Sequence, residues 1–159
     1  AEFREGIRAC FCALREKGIA GNGENPSVTA TTAHGRRFHC VALAAQQFHQ
    51  LRAIWGLSDA AFWSSLCDGE LQGGTLQAGG KSGSLFWFTP DKLLVIKSVN
   101  RSELRVLLDG LDAYRQHFIS HRNSLLSRFF SAFEVRDDDM RVQIVVMNHV
   151  FAARFLPHA

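Results

Sequence analysis

Residues 79–104, GGKSGSLFWFTPDKLLVIKSVNRSEL, contain the pattern that decides the fold of this chain. Residues 84–88 and 93–98 are rich in apolar and aromatic residues, and between them Pro90 stands at a favoured turn position. These residues therefore predict a β-hairpin. Asn100 can cap a helix that follows directly. The segment thus predicts, in order, a glycine-rich loop, a hairpin and a helix packed against it.

Further helix and strand patterns lie on both sides of this segment. Apolar residues at helical spacing predict helices over residues 3–14, around 39–55, around 62–66 after a cap at Ser58 or Asp59, and from Asn100 to about residue 118. Residues 18–37 hold four glycines, which predicts a loop or linker. A second pair of strands is predicted over residues 128–135 and 141–148, joined by an acidic turn.

The order of these elements predicts an α+β fold. We expect an antiparallel sheet of about five strands, with one helix packed on it and further helices preceding it. The length of 159 residues suits one domain.

Composition excludes several classes of protein. The 13 Phe and 3 Trp exclude intrinsic disorder. The wholly apolar runs, such as residues 144–147, are far shorter than the roughly 18 residues of a membrane span. A net charge of +3 is too small for a polybasic nucleic-acid binder, so no nucleic-acid partner is expected. The first residue is Ala1 rather than Met, which suggests a piece of a longer protein.

The cysteines and histidines predict no metal site. Four cysteines without CxxC spacing, in a chain without a signal-peptide pattern, predict reduced thiols in the cytoplasm. His117 and His121 have the spacing of a helical metal pair, but no third ligand accompanies them. The acidic residues 137–139 are predicted to form a solvated turn.

A phosphate-binding loop is predicted at the glycine-rich end of the hairpin. Glycines beside a strand allow backbone N–H groups to approach phosphate oxygens. Gly80, Lys81 and Ser82 match the end of a P-loop, but Thr75 stands where its first glycine belongs and a strand follows instead of a helix. The kinase-type GxGxxG loop fits better, with Ala78 in place of the first glycine and Gly80 and Gly83 in the other two positions.

Lys97 and Glu103 complete the kinase-like arrangement. Lys97 ends the run LVIK on the second strand of the hairpin, and Glu103 lies in the first turn of the next helix. Such a pair can form the ion pair that directs a lysine towards nucleotide phosphates. Two simpler interpretations stay open, since Lys97 can point into solvent and Glu103 can complete a capping box with Asn100.

The chain resembles the phosphatidylinositol phosphate kinases, which are lipid kinases. The resemblance covers about residues 38–151. It is carried by GGKSGSLFWFTPDKLLVIKSV (79–99), SELRVLLDGLDAY (102–114), NSLLSRFF (123–130) and VQIVVMNHVF (142–151). It implies that residues 38–159 are a partial kinase core, its N-terminal lobe, preceded by an N-terminal helix and glycine-rich linker over residues 1–37.

The resemblance also implies a role for particular residues. The loop would cover the phosphates through Gly80, Lys81, Ser82, Gly83 and Ser84. Lys97 would bind the phosphates and Glu103 would orient it. Met147 and Asn148 would lie at the hinge that holds adenine, chiefly through backbone groups.

The implied function is ATP- and Mg²⁺-dependent phosphorylation of the inositol ring of a phosphoinositide. We expect a cytoplasmic protein that is peripheral to the membrane surface. The chain has no counterpart of the family's catalytic loop and metal-binding aspartate, so negligible activity is expected of this polypeptide alone. The alternative is a non-catalytic regulatory or dimerising module, with a homodimer as one possible assembly.

Overall fold

The computed structural model describes residues 2–18, 25–73 and 84–149. Five helices and seven strands lie within these ranges. The helices are α1 (Glu2–Lys17), α2 (Ala45–Ile54), α3 (Asp59–Cys67), α4 (Arg101–Asp109) and α5 (Leu111–Ser120). The strands are β1 (Ser27–Thr31), β2 (Arg37–Leu43), β3 (Gln72–Gly73), β4 (Phe86–Phe88), β5 (Leu94–Val99), β6 (Phe129–Arg136) and β7 (Arg141–Asn148).

All seven described strands belong to one antiparallel sheet, in the order β1-β2-β6-β7-β5-β4-β3. The α+β class predicted from the sequence is therefore confirmed. The sheet has seven strands instead of about five because β1, β2 and the short β3 lie where the sequence predicts loops or a helix. The predicted hairpin is present as β4 and β5, and β7 has the predicted bounds.

The prediction of a helix beginning near residue 39 is wrong for its first part. Residues 37–43 form β2, whose side chains at Phe38, Cys40 and Ala42 are buried in strict alternation. Ala44 has a left-handed backbone with φ of 46°, which separates the strand from α2. The apolar residues of the strand and of the helix together have the spacing of one continuous amphipathic helix, which explains the error.

Two further elements differ from the sequence prediction. The segment 18–37, predicted as a loop, contains β1, which pairs with β2 along its whole length. The single helix predicted from Asn100 to about residue 118 is two helices, α4 and α5, which meet at Gly110. Because glycine is a poor helix former, the break falls at this residue.

Helices pack on both faces of the sheet. One hydrophobic cluster joins α1 and α3 to side chains such as Phe133, Ile96 and Val146. The other cluster joins α2, α4 and α5 to Ala132 and Val145. Since neighbouring residues of a strand point to opposite faces, Val145 and Val146 belong to different clusters. Lys97 lies opposite Val145 in the sheet register. The odd-numbered residues of β5, including Lys97, therefore share the face that carries α4.

The N-terminal elements are part of this arrangement. α1 contacts β1, β2 and α3, and its residues Ile7, Cys10 and Phe11 are fully buried. The domain boundary at residue 37 stays a prediction. Among the described residues, no helix has the length and apolarity needed to cross a bilayer.

Candidate functional site

A cavity of about 220 Å³ lies between the sheet and α4. Three of the residues predicted from the sequence line it, namely Lys97, Glu103 and Met147. Its other walls are apolar and include Val99, Val145, Leu104 and Leu107. The cavity therefore joins one cation and one carboxylate to an apolar surface.

The position of Lys97 follows from its place in the sheet. β5 pairs with β4 on one side and β7 on the other, and Lys97 lies opposite Phe86 and Val145. Its side chain is half-buried on the face of α4, in register with the cavity. The structure thus directs Lys97 towards α4.

Glu103 caps the helix on which it lies. The Asn100 side chain accepts a hydrogen bond from the Glu103 backbone N–H at 2.8 Å, and the Glu103 carboxylate accepts one from the Asn100 N–H at 2.9 Å. This reciprocal capping box satisfies two backbone donors that the first turn would otherwise leave unpaired. Among the described residues, no ion pair joins Lys97 to Glu103. The two side chains share the cavity without direct contact of that kind.

The described end of the predicted phosphate loop lies beside the same helix. Gly80, Lys81, Ser82 and Gly83 lie outside the described residues. Ser84 lines a second cavity of about 380 Å³ together with Glu103 and Asn100. Next to it, directly before β4, the Leu85 N–H donates to the hydroxyl of Ser98 in β5 at 2.7 Å. Ser84 therefore lies just before β4, beside a cavity that shares Glu103 with the first one.

The predicted hinge residues differ in what they contact. Met147 is partly buried and lines the cavity. The Asn148 side chain accepts a hydrogen bond from the Arg128 backbone N–H at 2.9 Å. The backbone N–H of Asn148 donates to the Arg128 carbonyl at 3.0 Å. The side chain of Asn148 therefore fastens the end of β7 to residue 128. An adenine contact through backbone groups of residues 147 and 148 stays a prediction.

Sequence reasoning does not identify every wall of the cavity. The position of Val99 can be inferred from the sequence, because alternate residues of a strand point to the same face and Lys97, two residues earlier, lies on the α4 face. Phe129 has no comparable signal, because a bulge shifts the register of β6 between Phe129 and Ser131. Its place beside Met147 depends on pairing between distant strands.

A Mg²⁺ site does not fit the described residues. They contain no group of three or more His, Cys, Asp or Glu side chains that could hold a metal. The carboxylate at the cavity is that of Glu103, which accepts from a backbone N–H. His117 and His121 stack on each other with ring centroids 4.9 Å apart, and His117 contacts the Ser124 hydroxyl at 2.8 Å. Ligands for Mg²⁺ are therefore not assigned to this part of the chain.

Comparison with known proteins identifies the family. The family model described as Phosphatidylinositol-4-phosphate 5-Kinase matches residues 71–158, which is more than half of the chain. A probable phosphatidylinositol phosphate kinase of Dictyostelium discoideum is 35% identical over 137 residues, covering 82% of this chain and 19% of that protein. Phosphatidylinositol 4-phosphate 5-kinase 7 of Arabidopsis thaliana is 34% identical over 114 residues, covering 70% and 15%.

The chain spans less than a fifth of the length of these two relatives. The matched residues 71–158 contain β5, α4, β6 and β7, which build the cavity around Lys97. On this match, the chain belongs to the phosphatidylinositol-4-phosphate 5-kinase family.

Proposed function

We propose that this chain is the ATP-binding part of a lipid kinase that phosphorylates the inositol ring of a phosphatidylinositol phosphate. The observation that carries the proposal is the cavity that Lys97 shares with Met147 and Glu103. Apolar walls suit a flat purine base, and a neighbouring ammonium group suits the phosphates of the same ligand. The family names of the relatives support the choice of lipid substrate.

Each residue has a distinct task in this proposal. Lys97 neutralises charge on the α- and β-phosphates, and the loop from Gly80 to Ser84 covers the β- and γ-phosphates. Met147 and the backbone of Asn148 contact the base. Glu103 orients Lys97 once nucleotide is bound. In the full-length enzyme Mg²⁺ would neutralise further phosphate charge, held by carboxylates that the described part of this chain does not supply. ATP and a phosphoinositide at the membrane surface are the proposed ligands.

The Lys97 contact can be tested by nucleotide binding to the 159-residue chain. Calorimetric titration with ATP should show that Lys97→Met weakens affinity by about 10–100-fold, because a charged contact to phosphate is lost. Lys92→Asn is the matched control. Lys92 is exposed in the turn before β5 and has φ of 59°, a conformation that Asn tolerates. Equal losses in both variants would contradict the proposal.

Catalysis by this chain alone is proposed to be negligible. Phosphoryl transfer needs an acidic group that orients the attacking hydroxyl and carboxylates that hold the metal. Incubation of the chain with labelled Mg²⁺-ATP and vesicles containing a phosphatidylinositol phosphate should therefore yield no labelled lipid. Labelled lipid formed above the level given by Lys97→Met would contradict this part of the proposal.

The alternative function is a non-catalytic module that associates with a second copy of itself. It is favoured by apolar side chains exposed on α4 and in the loop after α5, where Val106 is 74%, Leu125 84% and Leu126 55% exposed. Sedimentation analysis should distinguish the two functions. Dimers that Leu125→Ser dissociates, together with no ATP binding, would favour the alternative.

A further inference from the structure

The four cysteines of the chain lie in two facing pairs, one on each side of α1. Cys10 faces Cys40 of β2, and the hydrogen bond between the two thiols, together with burial, raises the pKa of Cys40. Cys12 faces Cys67 at the end of α3. All four are free thiols. The cysteines are distant in sequence, so this pairing is a product of the fold.

Two arginines of α1, one on each side of Cys12, contact the end of α3. Arg8, Cys12 and Arg15 lie at i, i+4 and i+7 on α1, which places them on one helix face. The Arg8 guanidinium donates to the carbonyl of Cys67 at 3.1 and 3.3 Å. Arg15 binds the carboxylate of Asp68 at 2.9 Å. Because both neighbours along this face contact residues 67 and 68, Cys12 between them is held against Cys67.

The two pairs differ in access to solvent. Cys10 and Cys40 are fully buried in the hydrophobic cluster between α1 and the sheet. Cys67 is also buried, but Cys12 is only partly buried. A small polar oxidant can therefore reach Cys12, whereas the Cys10–Cys40 pair is shielded by the surrounding apolar side chains.

We propose that Cys12 and Cys67 are a disulfide-forming site, at which a peroxide oxidises Cys12 and Cys67 resolves the product into a covalent link between α1 and α3. The Cys10–Cys40 pair stays reduced under the same conditions. The link joins two helices on the face of the sheet opposite α4, so it is independent of the nucleotide site proposed above.

The chemistry occurs in two balanced steps. The Cys12 sulfur attacks one oxygen of hydrogen peroxide, the O–O bond breaks, and Cys12 sulfenic acid and one water are formed. The Cys67 sulfur then attacks the sulfenic sulfur, the S–O bond breaks, and the hydroxyl leaves as water with the Cys67 proton. Two thiols are oxidised and one peroxide is reduced to two waters.

The surroundings of Cys67 suit the second step. Burial and the neighbouring Cys12 thiol raise the pKa of Cys67 to about 12, and the charge of Arg15 acts in the opposite direction. Cys67 therefore stays a thiol until Cys12 has reacted. Arg15 remains beside Cys67 after Cys12 has been oxidised, and its charge favours ionisation of Cys67 for the attack on the sulfenic sulfur.

Peptide mapping of the 159-residue chain after treatment with hydrogen peroxide tests the proposal. Trypsin releases Cys12 in peptide 9–15, Cys67 in 53–81 and Cys40 in 38–52. We expect 9–15 linked to 53–81 within one chain, and two of the four thiols still reactive after oxidation. The cross-link should raise Tm by about 5–10 °C, reversibly on reduction.

Two variants assign the link to particular cysteines. Peptide 9–15 also contains Cys10, so Cys10→Ala should keep the link to 53–81 and Cys12→Ser should lose it. ATP affinity should be the same before and after oxidation. A link between 9–15 and 38–52, a link that persists in Cys12→Ser, a link between two chains, or no link at all would each overturn the proposal.

Discussion

Lys97 and Glu103 line one cavity, but the Glu103 carboxylate accepts its hydrogen bond from the backbone N–H of Asn100 at 2.9 Å. Glu103 therefore caps α4 in this structure, and within residues 84–149 it forms no ion pair with Lys97. A carboxylate has a second oxygen, so capping and orientation of Lys97 are compatible. Substitutions that separate charge from hydrogen-bonding capacity can resolve the two roles.

Glu103→Gln should keep the fold and weaken nucleotide binding. Gln also completes a capping box, so the free energy of unfolding should change by less than about 0.5 kcal/mol. Loss of the carboxylate charge near Lys97 should lower ATP affinity by about threefold to tenfold. Glu103→Ala should lower both ATP affinity and stability, the latter by about 0.5–1 kcal/mol. Unchanged ATP affinity in the Gln variant would show that Glu103 is only a cap.

Asp137→Asn should destabilise the protein at neutral pH more than in acid. The Asp137 side chain is 2% exposed, accepts from the N–H groups of Asp139 and Met140 at 2.8 and 2.7 Å, and pairs with Arg36. Burial alone would raise the pKa of Asp137, but these hydrogen bonds and the Arg36 charge outweigh it and the pKa is lowered. The ionised form is therefore the one that favours folding.

The sign of the pH dependence follows from that lowered pKa. The stabilisation is complete above the pKa of an unfolded aspartate, about 3.9, and is lost as pH falls through the lower pKa of the folded state. Urea unfolding should show a difference of about 1–2 kcal/mol between wild type and Asp137→Asn near pH 7, which closes in acid. Asp138→Asn, at an exposed position of the same turn, is the control. A difference that grows in acid would contradict this account.

Gly6→Ala should destabilise the chain although Gly6 lies inside a helix. A Cβ at Gly6 would lie 2.4 Å from the ring of Phe38, which is fully buried and packs edge-on against Phe3. Alanine gains about 1 kcal/mol in helix propensity, but the clash should cost more, for a net loss of about 1–3 kcal/mol. Thermal unfolding measures this loss. In a Phe38→Leu background the same substitution should cost less, and equal costs in both backgrounds would contradict the clash.

Arg52→Lys should be strongly destabilising. Arg52 is 2% exposed, donates to the Phe130 carbonyl at 2.8 Å, and its guanidinium lies 4.4 Å from the centre of the Phe62 ring. It therefore joins α2 to β6 and α3. Burial lowers the pKa of Arg52, an effect that Asp59 partly offsets.

A lysine at this position cannot reproduce the planar contacts, so unfolding by urea should reveal a loss of about 2–4 kcal/mol. The matched control is Arg101→Lys, at an exposed position in the first turn of α4, where little change is expected. Similar effects in both variants would refute the role assigned to Arg52.

The elements that the sequence predicts correctly are those with strong local signals. β7 begins and ends where predicted, and the hairpin around Pro90 is present. The Thr89 hydroxyl and the Leu93 N–H both donate to the Asp91 carboxylate, so the turn is stabilised by residues within it. Asn100 caps α4 as predicted, through a side chain three residues from its partner. Such features depend on neighbours along the chain and can be inferred from them.

The elements that the sequence misses depend on distant partners. β2 is a strand because it pairs with β1 and with β6, whose residues lie about one hundred positions further along the chain. Its apolar residues alone fit a helix equally well. β3 is only two residues long and exists through its pairing with β4. The pattern of residues in a short stretch of sequence contains no information about strands that pair with it from far away along the chain.

The sequence by itself determined that a lysine lies on a strand, that a capped helix follows it, and that the family motifs surround both. Only the tertiary structure decided that Lys97 and Glu103 share a cavity and that Cys12 lies against Cys67. The physical reason is the range of the interactions. Caps, turns and periodicity arise within a few residues, whereas cavities and facing thiols require strand register and helix packing that join residues far apart in the chain.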